Sequence, residues 1–561
     1  MKFLFSALIF TTIAFSQVEY PKDYFRSPLD IELIPSGTFG ELRTNHFHAG
    51  MDIKTQQREG LKVYTVAEGY VSRIKVSHYG YGKVIYITHP NGYTSVYGHL
   101  SSYAPKLEAL VKAKQYEQES YEVEILPAAN EIKVSPDEII AYSGNTGSSG
   151  GPHLHFEIRD QQERVINPLL FGFKIQDKKT PFVTNIYAYT KDETAFVNGE
   201  NGRVELRLIP NKNKDYHVES INAYGAIGFS VVSYDQQDLA VNQNGINTLE
   251  TFFNGSKKFE MNFNRFSFGE TRHINRFIDY ELFKTKNKRS QKLFVEEGNV
   301  LSLYDNVDMD GYVTIEDSTA SVYKIKIKDF HGNESWVTIP INGKKISKEP
   351  KAINTINKTY IFSEQPTNLN QNNVTVYFPA NSFYEDTFID FKVSNDTLYL
   401  HKDIIPLQKN VSIQFDVSKY KDAEKDKLYI AELIGRRNYP SYLRTKRNDN
   451  VLSATSNALG TYTLVMDTQG PKISATNFQD GKWLSNFRYL KFKITDDLSG
   501  ISNYRATING KWILMEYEYK TNTLTFDFND NVVEDTKNEL KLVVTDNVGN
   551  SSTFEATFFR K

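Results

Sequence analysis

The chain has 561 residues, with 66 Lys and Arg against 68 Asp and Glu, and it contains no Cys. This length exceeds what one hydrophobic core fills, so about three to five domains are expected. The balanced charge argues against the broad basic surface of a nucleic-acid-binding protein. The absence of Cys excludes disulfides, thiolate metal ligands and cysteine nucleophiles. The 35 Tyr and 37 Phe residues favour a protein rich in β-strands.

The chain begins "MKFLFSALIFTTIAFS", and residues 1–16 are predicted to be a secretion signal. Lys2 supplies a minimal positive region, an apolar stretch follows, and Ser16 and Gln17 mark the expected cleavage point. The stretch is too short to span a membrane and no later one qualifies, so no transmembrane segment is expected. Because no terminal sorting domain is recognisable, we expect export to the periplasm rather than to the cell surface.

Residues 17–173 are predicted to form a first domain of short strands separated by glycines. The strand-like runs are "LKVYTVAEGYVSRIKVS", "GKVIYITHPNGYTSVYGHL" and "HLHFEIR". In "APKLEALVKAKQYEQ", Leu107, Leu110 and Val111 have helical spacing after Pro105, which predicts one short helix. Seven of the eleven His residues precede residue 156, so histidine chemistry is expected in this domain.

The remainder of the chain contains a faint internal repeat. "DKKTPFV" at Asp177 and "DTQGPKI" at Asp467 open two segments, which "DFHGNES" at Asp329 and "DNVGNSS" at Asp546 close. A turn of Asp, Gly and Asn after a strand accounts for each closing motif locally. The repetition predicts two related β-sandwiches, and these stretches weakly resemble bacterial immunoglobulin-like modules.

The predicted fold class is therefore mainly β, with three β-rich units after the first domain. We expect an immunoglobulin-like sandwich with a long insertion at 174–347, a further β-rich domain at 350–466, and a second immunoglobulin-like sandwich at 467–561. "NVTVYFPANSFY", "NVSIQFDVS" and "GTYTLVMD" are the strand-like runs of the middle unit.

The stretch "SGGPHLHFEIRD" places two histidines one residue apart on a predicted strand. Successive strand side chains alternate between faces, so one face is apolar and the other polar. The apolar face consists of Leu154, Phe156 and Ile158. The polar face consists of His153, His155, Glu157 and Arg159. Glu157 is placed to orient a metal ligand, although simple exposure to solvent is the preferred interpretation.

Partners for the paired histidines are found upstream. His48 and Asp52 are separated by three residues in "NHFHAGMDIK", and His99 lies in "VYGHL". A catalytic zinc ion takes about four ligands and keeps one position for water. Imidazole and carboxylate ligands leave such an ion able to lower the pKa of its water, and a neighbouring histidine transfers the proton. Each motif alone is common, whereas the three in this order indicate a zinc hydrolase.

In this combination the sequence resembles peptidase family M23, the lysostaphin/LytM-type zinc endopeptidases, over roughly residues 37–170. The resemblance rests on "HFHAGMD", "GYGKVIYITHPNGYTSVYGHLS" and "IAYSGNTGSSGGPHLHFEIR". It implies a LytM-type antiparallel β-sheet for the first domain. The segment between His99 and Gly144 is longer than is typical of the family, which leaves substrate preference open.

The resemblance also implies residue roles. It makes His48, Asp52 and His155 the ligands of one zinc ion per chain. It makes His99 and His153 the pair that activates water and stabilises the tetrahedral intermediate.

The function that the resemblance implies is hydrolysis of peptide cross-links in peptidoglycan by a secreted endopeptidase, with stem peptides as binding partners. The alternative is a non-catalytic LytM-like scaffold that binds or activates another wall hydrolase. Such relatives typically lose metal ligands, whereas all the ligand positions are intact here. A third interpretation is an adhesive protein dominated by its β-modules. The motifs do not specify which cross-link is cut, or whether the β-modules target or inhibit the peptidase.

Other candidate residues are given structural interpretations. His46 lacks the family's spacing to Asp52 and is expected near the site or at the surface. His89 lies at a predicted hairpin turn, where a structural role is expected. The glycine-rich "SGNTGSSGG" is followed by no Gly-Lys-Ser/Thr and is interpreted as a tight loop that lets substrate approach the metal, not as a phosphate loop.

A second metal candidate is "NVDMDGYVTIED", which fits a calcium loop approximately. Its candidate positions are Asn306, Asp308, Asp310, Gly311 and Asp317. The flanks are strand-like rather than helical, so a solvated hairpin turn is favoured over a calcium site.

Overall fold

The structure is a computed structural model that describes residues 19–212, 214–345 and 355–561. The predicted secretion signal lies outside these residues. The described chain is mainly β, as predicted, and its helices are few and short. Among the described residues, no helix is long and apolar enough to cross a membrane.

The first domain is built on a large, predominantly antiparallel sheet and a small one. Its elements are β1 (Pro35–Gly37), β2 (Met51–Lys54), β3 (Lys62–Tyr64), β4 (Gly69–Val76), β5 (Lys83–Thr88), β6 (Thr94–Leu100), β7 (Ser102–Tyr103), α1 (Pro105–Gln118), β8 (Val123–Ile125), β9 (Lys133–Val134), β10 (Ile139–Tyr142), β11 (His153–Arg159) and β12 (Val165–Ile166). The large sheet has the order β1-β2-β11-β6-β5-β4-β8, and the small one has the order β3-β10-β7.

The predicted helix is confirmed as α1, with Pro105 in its first turn. Proline suits this position because the first-turn N–H groups have no partner within the helix. Leu107 and Val111 are buried against the domain core, while Leu110 is exposed.

Strand β11 lies at the centre of the site-bearing sheet because its apolar face supplies core residues. Leu154, Phe156 and Ile158 are fully buried there, as the alternation predicted. The antiparallel register places His155 opposite Asp52 on β2 and opposite Gly98 on β6. A side chain at Gly98 would contact His155 at 3.4 Å, so glycine leaves room for the imidazole. The register therefore assembles the motifs that the sequence separates.

The second unit is dominated by a thirteen-stranded sheet. Its strands are Phe182–Thr190, Phe196–Val197, Arg203–Leu206, Leu208–Pro210, Tyr216–Val218, Ile221–Tyr234, Thr248–Phe253, Ser256–Asn262, Gln291–Lys292, Tyr304–Val307, Val313–Ile315, Ala320–Lys328 and Glu334–Gly343. Two short helices, α2 (Ile274–Phe277) and α3 (Tyr280–Lys286), interrupt them.

The third unit packs two five-stranded sheets and a strand pair around one core. Its strands are Thr359–Ile361, Thr367–Gln371, Val374–Phe378, Thr387–Ile389, Lys392–Ser394, Thr397–Leu400, Val411–Asp416, Leu428–Ile434, Tyr439–Tyr442, Lys446–Asn448, Val451–Ser456 and Gly460–Met466, with helix α4 at Asp422–Lys425.

The fourth unit packs a four-stranded sheet on a five-stranded one around its own core. Its strands are Lys472–Ala475, Lys482–Trp483, Tyr489–Thr495, Ile501–Ile508, Lys511–Trp512, Glu516–Glu518, Thr523–Asp527, Lys537–Asp546 and Ser551–Phe559. The immunoglobulin-like character of the second and fourth units stays a prediction, as do the domain boundaries.

The first and second units share one apolar core. Phe39 and Phe47 of the first unit belong to the same buried cluster as Phe263 and Phe277 of the second. The short strand Arg265–Phe266 pairs with β12 and so extends the site-bearing sheet. The predicted domains are therefore joined by continuous packing on this side of the molecule.

Candidate metal centre

Three of the predicted ligands lie together in the structure. Asp52 Oδ1 is 2.8 Å from His155 Nδ1 and 3.1 Å from His48 Nε2, and the two imidazole nitrogens are 3.2 Å apart. Around a tetrahedral zinc ion with ligand distances of about 2.0–2.1 Å, ligand atoms are separated by about 3.3 Å. The donor set therefore fits a zinc ion in chemistry and in spacing.

The opposite nitrogen of each metal-facing histidine is held by a hydrogen bond. His48 Nδ1 donates to the carbonyl oxygen of Thr38 at 2.8 Å, and His155 Nε2 donates to Glu157 Oε1 at 2.8 Å. Such bonds fix the tautomer and ring orientation of metal ligands. When a metal ion is bound, the other nitrogen of each imidazole is therefore free to act as a ligand.

His99 and His153 lie beside this cluster, with ring centroids 4.7 Å apart. His153 Nε2 is 3.3 Å from Asp52 Oδ1, and His153 Nδ1 donates to the carbonyl oxygen of Gly151. His99 Nδ1 donates to the carbonyl oxygen of Thr146 at 2.8 Å, which leaves Nε2 for proton transfer. The structure thus brings all five predicted site residues together.

His99 also has an unusual backbone conformation, with φ of 59° at the end of β6. Residues other than glycine in this left-handed region cost about 1–3 kcal/mol and cluster at functional sites. Burial, reinforced by the charges of His155 and His153, lowers the pKa of His99 to about 3. His99 is therefore neutral at neutral pH, with Nε2 unprotonated.

Glu157 was expected to be exposed, and this expectation is wrong. It is fully buried, accepts a hydrogen bond from Tyr81 Oη at 2.5 Å and forms an ion pair with Arg159. Although burial favours the neutral acid, Arg159, His155 and Tyr81 lower the pKa of Glu157 to about 2. The polar face of β11 is thus covered, and its charges pair along the strand.

The same charges act on the metal-facing groups. Burial alone would lower the pKa of His155, but hydrogen bonds to Asp52 and Glu157 outweigh it and raise that pKa to about 9. The three neighbouring histidines outweigh the effect of burial on Asp52 and hold its pKa well below the usual range. The Asp52 carboxylate therefore stays ionised and attracts either protons or a cation.

Sequence reasoning missed several residues that complete the centre. Tyr81 and Thr38 are brought in only by the fold, and Arg43 lies 3.4 Å from Asp52 Oδ2. Glu157 had a usable signal, because it lies two residues from His155 on the same strand face. Thr146 contributes a backbone carbonyl, for which side-chain motifs give no signal.

The other predicted candidates lie elsewhere. His46 is exposed and bonds to the carbonyl of Thr44. His89 is buried between the carbonyl of Glu68 and the hydroxyl of Ser95, in the structural role expected for it.

The carboxylates of the predicted calcium loop do not face one another. Asp308 pairs with Lys258, Asp310 pairs with Lys191, and Asp317 accepts the backbone N–H of Lys345. This pattern agrees with the favoured interpretation of a solvated turn.

The fourth unit contacts the loop that holds His99. Lys520 Nζ donates to the carbonyl oxygen of Gly147 at 3.0 Å and to that of Asn145, on either side of Thr146. Tyr519 packs on Tyr79 with ring centroids 4.7 Å apart. The glycine-rich loop is thus held from outside the first unit.

A groove of about 910 Å³ opens onto the centre. Asp52 and His153 form part of its floor, Arg43 and Lys54 contribute positive charge, and Gly150 and Gly151 form one wall without side chains.

Comparisons with known proteins agree with the geometry. The model of peptidase family M23 matches residues 46–116, and the model of the Zu5-like domain matches residues 358–467. An uncharacterized metalloprotease of Haemophilus influenzae is 32% identical over 154 residues, which are 26% of this chain and 27% of that protein. The DD-carboxypeptidase/endopeptidase Mpg of Neisseria meningitidis serogroup B is 31% identical over 128 residues, 23% of each chain.

Among solved structures, the catalytic domain of the prophage-encoded M23 protein EnpA from Enterococcus faecalis is similar at 22% identity and a TM-score of 0.20. That similarity covers 28% of this chain and 98% of the other. The chain spans about a quarter of the length of the curated relatives that it matches.

The first unit is therefore a metallopeptidase-type β domain. More particularly, the chain carries a domain of peptidase family M23, and a Zu5-like domain follows within the β-rich region expected at 350–466.

Proposed function

We propose that the protein is an exported zinc metalloendopeptidase that hydrolyses peptide cross-links of peptidoglycan. The observation that carries the proposal is the convergence of His48 Nε2, His155 Nδ1 and Asp52 Oδ1 on one point. The opposite nitrogen of each imidazole is tied to the protein, as a ligand role requires.

When bound to these three residues, zinc supplies a Lewis acid that activates water for attack on a carbonyl carbon. The rest of the chemistry belongs to side chains of the chain. His99, neutral and fixed through Thr146, accepts the proton of the attacking water. His153, fixed through Gly151, presents Nε2 beside Asp52, and in its protonated form it donates a hydrogen bond where negative charge develops on the carbonyl oxygen.

Two observations support a peptide substrate. The groove that borders Asp52 and His153 has a volume of about 910 Å³, which gives room for a peptide segment. One relative is named a DD-carboxypeptidase/endopeptidase, which supports cleavage of a peptide amide here. The predicted secretion signal supports a substrate outside the cytoplasm, where peptidoglycan lies.

The complete site supports the enzyme over the scaffold interpretation. A scaffold has no need of a proton acceptor, yet His99 retains its hydrogen bond and its strained backbone. No described contact favours the adhesive interpretation specifically.

The test is digestion of purified cross-linked muropeptide dimers. The wild-type protein is expected to convert dimer to monomer, to stop after chelation and to recover with added zinc. His155→Ala is expected to fall to the level of the chelated protein. His46→Ala, which removes an exposed histidine close to the site, should retain wild-type activity and serves as the matched control.

Zinc content must be measured on the same samples. One zinc per wild-type chain without cleavage of any cross-linked dimer would overturn the peptidoglycan endopeptidase. Failure of the wild-type protein to bind zinc would overturn the metal centre itself.

A further inference from the structure

A second group of metal-type side chains lies in the second unit, outside the site described above. The ligand atoms of Asp177, Asp329 and His331 all lie within 4.8 Å of one another. Asp235 lies beside them, because it lines the same cavity as Asp177 and His331. Asp177 and Asp329 are the aspartates of the opening and closing repeat motifs, and Asp235 directly follows the strand Ile221–Tyr234.

Two carboxylate oxygens in this group are buried without a donor. Within the described residues, Asp177 Oδ2 and Asp235 Oδ1 are inaccessible to solvent and accept no hydrogen bond. The side chain of Asp177 is 0% exposed, and Asp235 as a whole is 1% exposed. A buried charge without a partner is costly, so such oxygens require a proton or a cation.

Nearby positive groups do not meet that requirement. His331 Nδ1 is 3.8 Å from Asp177 Oδ2, which is too long for a hydrogen bond. Lys179 is close, but its Nζ donates to the carbonyl oxygen of Gln237. Asn333 bonds both oxygens of Asp329, and Gln237 bonds Asp235 Oδ2. Within the described residues, Asp177 and Asp235 nevertheless each keep one buried oxygen without a donor.

The fourth unit provides an internal comparison. Its motif aspartates, Asp467 and Asp546, lie with Asp496 in an equivalent group. Asn550 Nδ2 bridges Asp467 O and Asp546 Oδ2, just as Asn333 Nδ2 bridges Asp177 O and Asp329 Oδ2 in the second unit.

The two groups differ in how their carboxylates are satisfied. Both oxygens of Asp467 accept backbone N–H groups, from Gln469 and Ser499. Asp177 has such a bond at Oδ1 alone, from Lys179. Backbone N–H groups therefore satisfy both carboxylate oxygens of Asp467 in the fourth unit, whereas one oxygen of Asp177 in the second unit has no donor among the described residues.

We propose that Asp177, Asp235 and Asp329 bind one hard divalent cation, with calcium as the preferred ion. Carboxylate oxygens are the ligands that calcium prefers, and six to eight oxygens complete its shell. A cavity of about 30 Å³ borders Asp177 and Asp235, and this is room for water to supply further ligands.

The position of this site links it to the metal centre through one residue. Thr38 lines the same cavity, and its Oγ1 accepts the N–H of Gly245 at 2.9 Å. The carbonyl of Thr38 is the acceptor that orients His48. A cation at Asp177 and Asp235 therefore stabilises the junction from which His48 is held. The proposal does not depend on the peptidase activity.

The experiment uses the full chain, stripped of metals and reloaded with one equivalent of zinc. Calcium chloride is then titrated while thermal unfolding is followed, and bound calcium is counted by equilibrium dialysis. Wild type is expected to bind one calcium per chain and to show a saturable rise in Tm. Asp235→Asn is expected to lose both the bound calcium and the rise.

Two controls separate the alternatives. Asp308→Asn alters the calcium-like loop and is expected to leave the calcium response unchanged. Without calcium, Asp235→Asn is expected to melt no lower than wild type, because it removes one of the mutually repelling charges. This result would also show that the variant folds.

The proposal is overturned if calcium gives no saturable rise in the Tm of the wild type. A shared proton, rather than a cation, would then compensate the buried oxygens of Asp177 and Asp235. The proposal is also overturned if the calcium is lost in Asp496→Asn and kept in Asp235→Asn.

Discussion

The second and fourth units both contact the M23 domain, but they do so on different flanks of the metal centre and by different physical means. The second unit shares an apolar core with it, beside the segment from Thr38 to His48. Within the described residues, the fourth unit adds only Leu514 and Trp512 to the apolar core of the first unit, and it contacts the loop around Thr146 through polar groups of Tyr519 and Lys520.

This difference means that the second unit mainly stabilises the first unit, whereas the fourth unit mainly fixes the geometry of the loop around Thr146. Apolar burial is large and additive, so the flank beside His48 folds together with the second unit. Polar contacts contribute less free energy but fix direction, and Lys520 bonds to carbonyls on both sides of the one that orients His99. The ligand side of the centre thus depends on packing, and the proton-transfer side depends on hydrogen bonds.

The largest expected effect tests the apolar core that the first and second units share. Phe47 is 1% exposed and its ring lies 5.5 Å from that of Phe266 and 5.9 Å from that of Phe263. Phe47→Ala is expected to reduce the free energy of unfolding by about 3–5 kcal/mol, because the cavity cannot collapse. Chemical denaturation should show the first and second units unfolding in one transition.

Phe362→Ala, at an exposed phenylalanine of the third unit, is the matched control, with an expected loss below about 1 kcal/mol. Equal effects of the two substitutions, or separate transitions for the first two units, would contradict the shared core.

The next largest effect concerns the stability of the M23 domain at acidic pH. His89 is buried, and burial, partly opposed by the bond to Glu68, lowers its pKa from 6.5 to about 4. Because the folded-state pKa is depressed, the neutral form is stabilised: its contribution is complete above pH 6.5 and is lost as the pH falls toward 4. A shift of this size is equivalent to about 3 kcal/mol.

His89→Gln should therefore flatten the decline in unfolding free energy between pH 6.5 and pH 4. His217→Gln, at an exposed histidine of the second unit, should leave the slope as in wild type. An unchanged slope in His89→Gln would show that the domain's acid sensitivity arises elsewhere.

These contrasts show what the sequence could predict. The alternation in "HLHFEIR" predicted the apolar face of β11, and helical spacing predicted α1, because each is a local pattern with a strong period. The five histidine and aspartate positions were recoverable because their motifs are short and lie in a recognisable order.

What the sequence could not predict depends on contacts between distant segments. Glu157 was expected in solvent because Tyr81, which bonds to it in the folded protein, is 76 residues away in the sequence. The role of Thr38 is carried by a backbone carbonyl, which any residue type supplies. The open carboxylates of Asp177 and Asp235 were invisible because Asp235 belongs to neither repeat motif.

The smallest expected effect tests the polar contacts between the fourth unit and the loop around Thr146. It rests on the proposed peptidase activity. Lys520→Ala removes the donor to the carbonyls of Asn145 and Gly147 and frees the loop to move Thr146. Because a misplaced proton acceptor slows the chemical step, kcat is expected to fall about tenfold, with KM little changed. Unfolding free energy should change by less than about 1 kcal/mol.

Lys472→Ala is the matched control, since Lys472 lies in the same unit and pairs with Asp497 at the surface. Hydrogen exchange of the Asn145–Gly147 amides provides a readout that does not need activity, and only Lys520→Ala should accelerate it. Faster exchange with unchanged kcat would mean that the loop tolerates motion without displacing His99. Unchanged exchange would mean that contacts within the first unit hold the loop. The second and fourth units would then differ only in how much they stabilise the first unit.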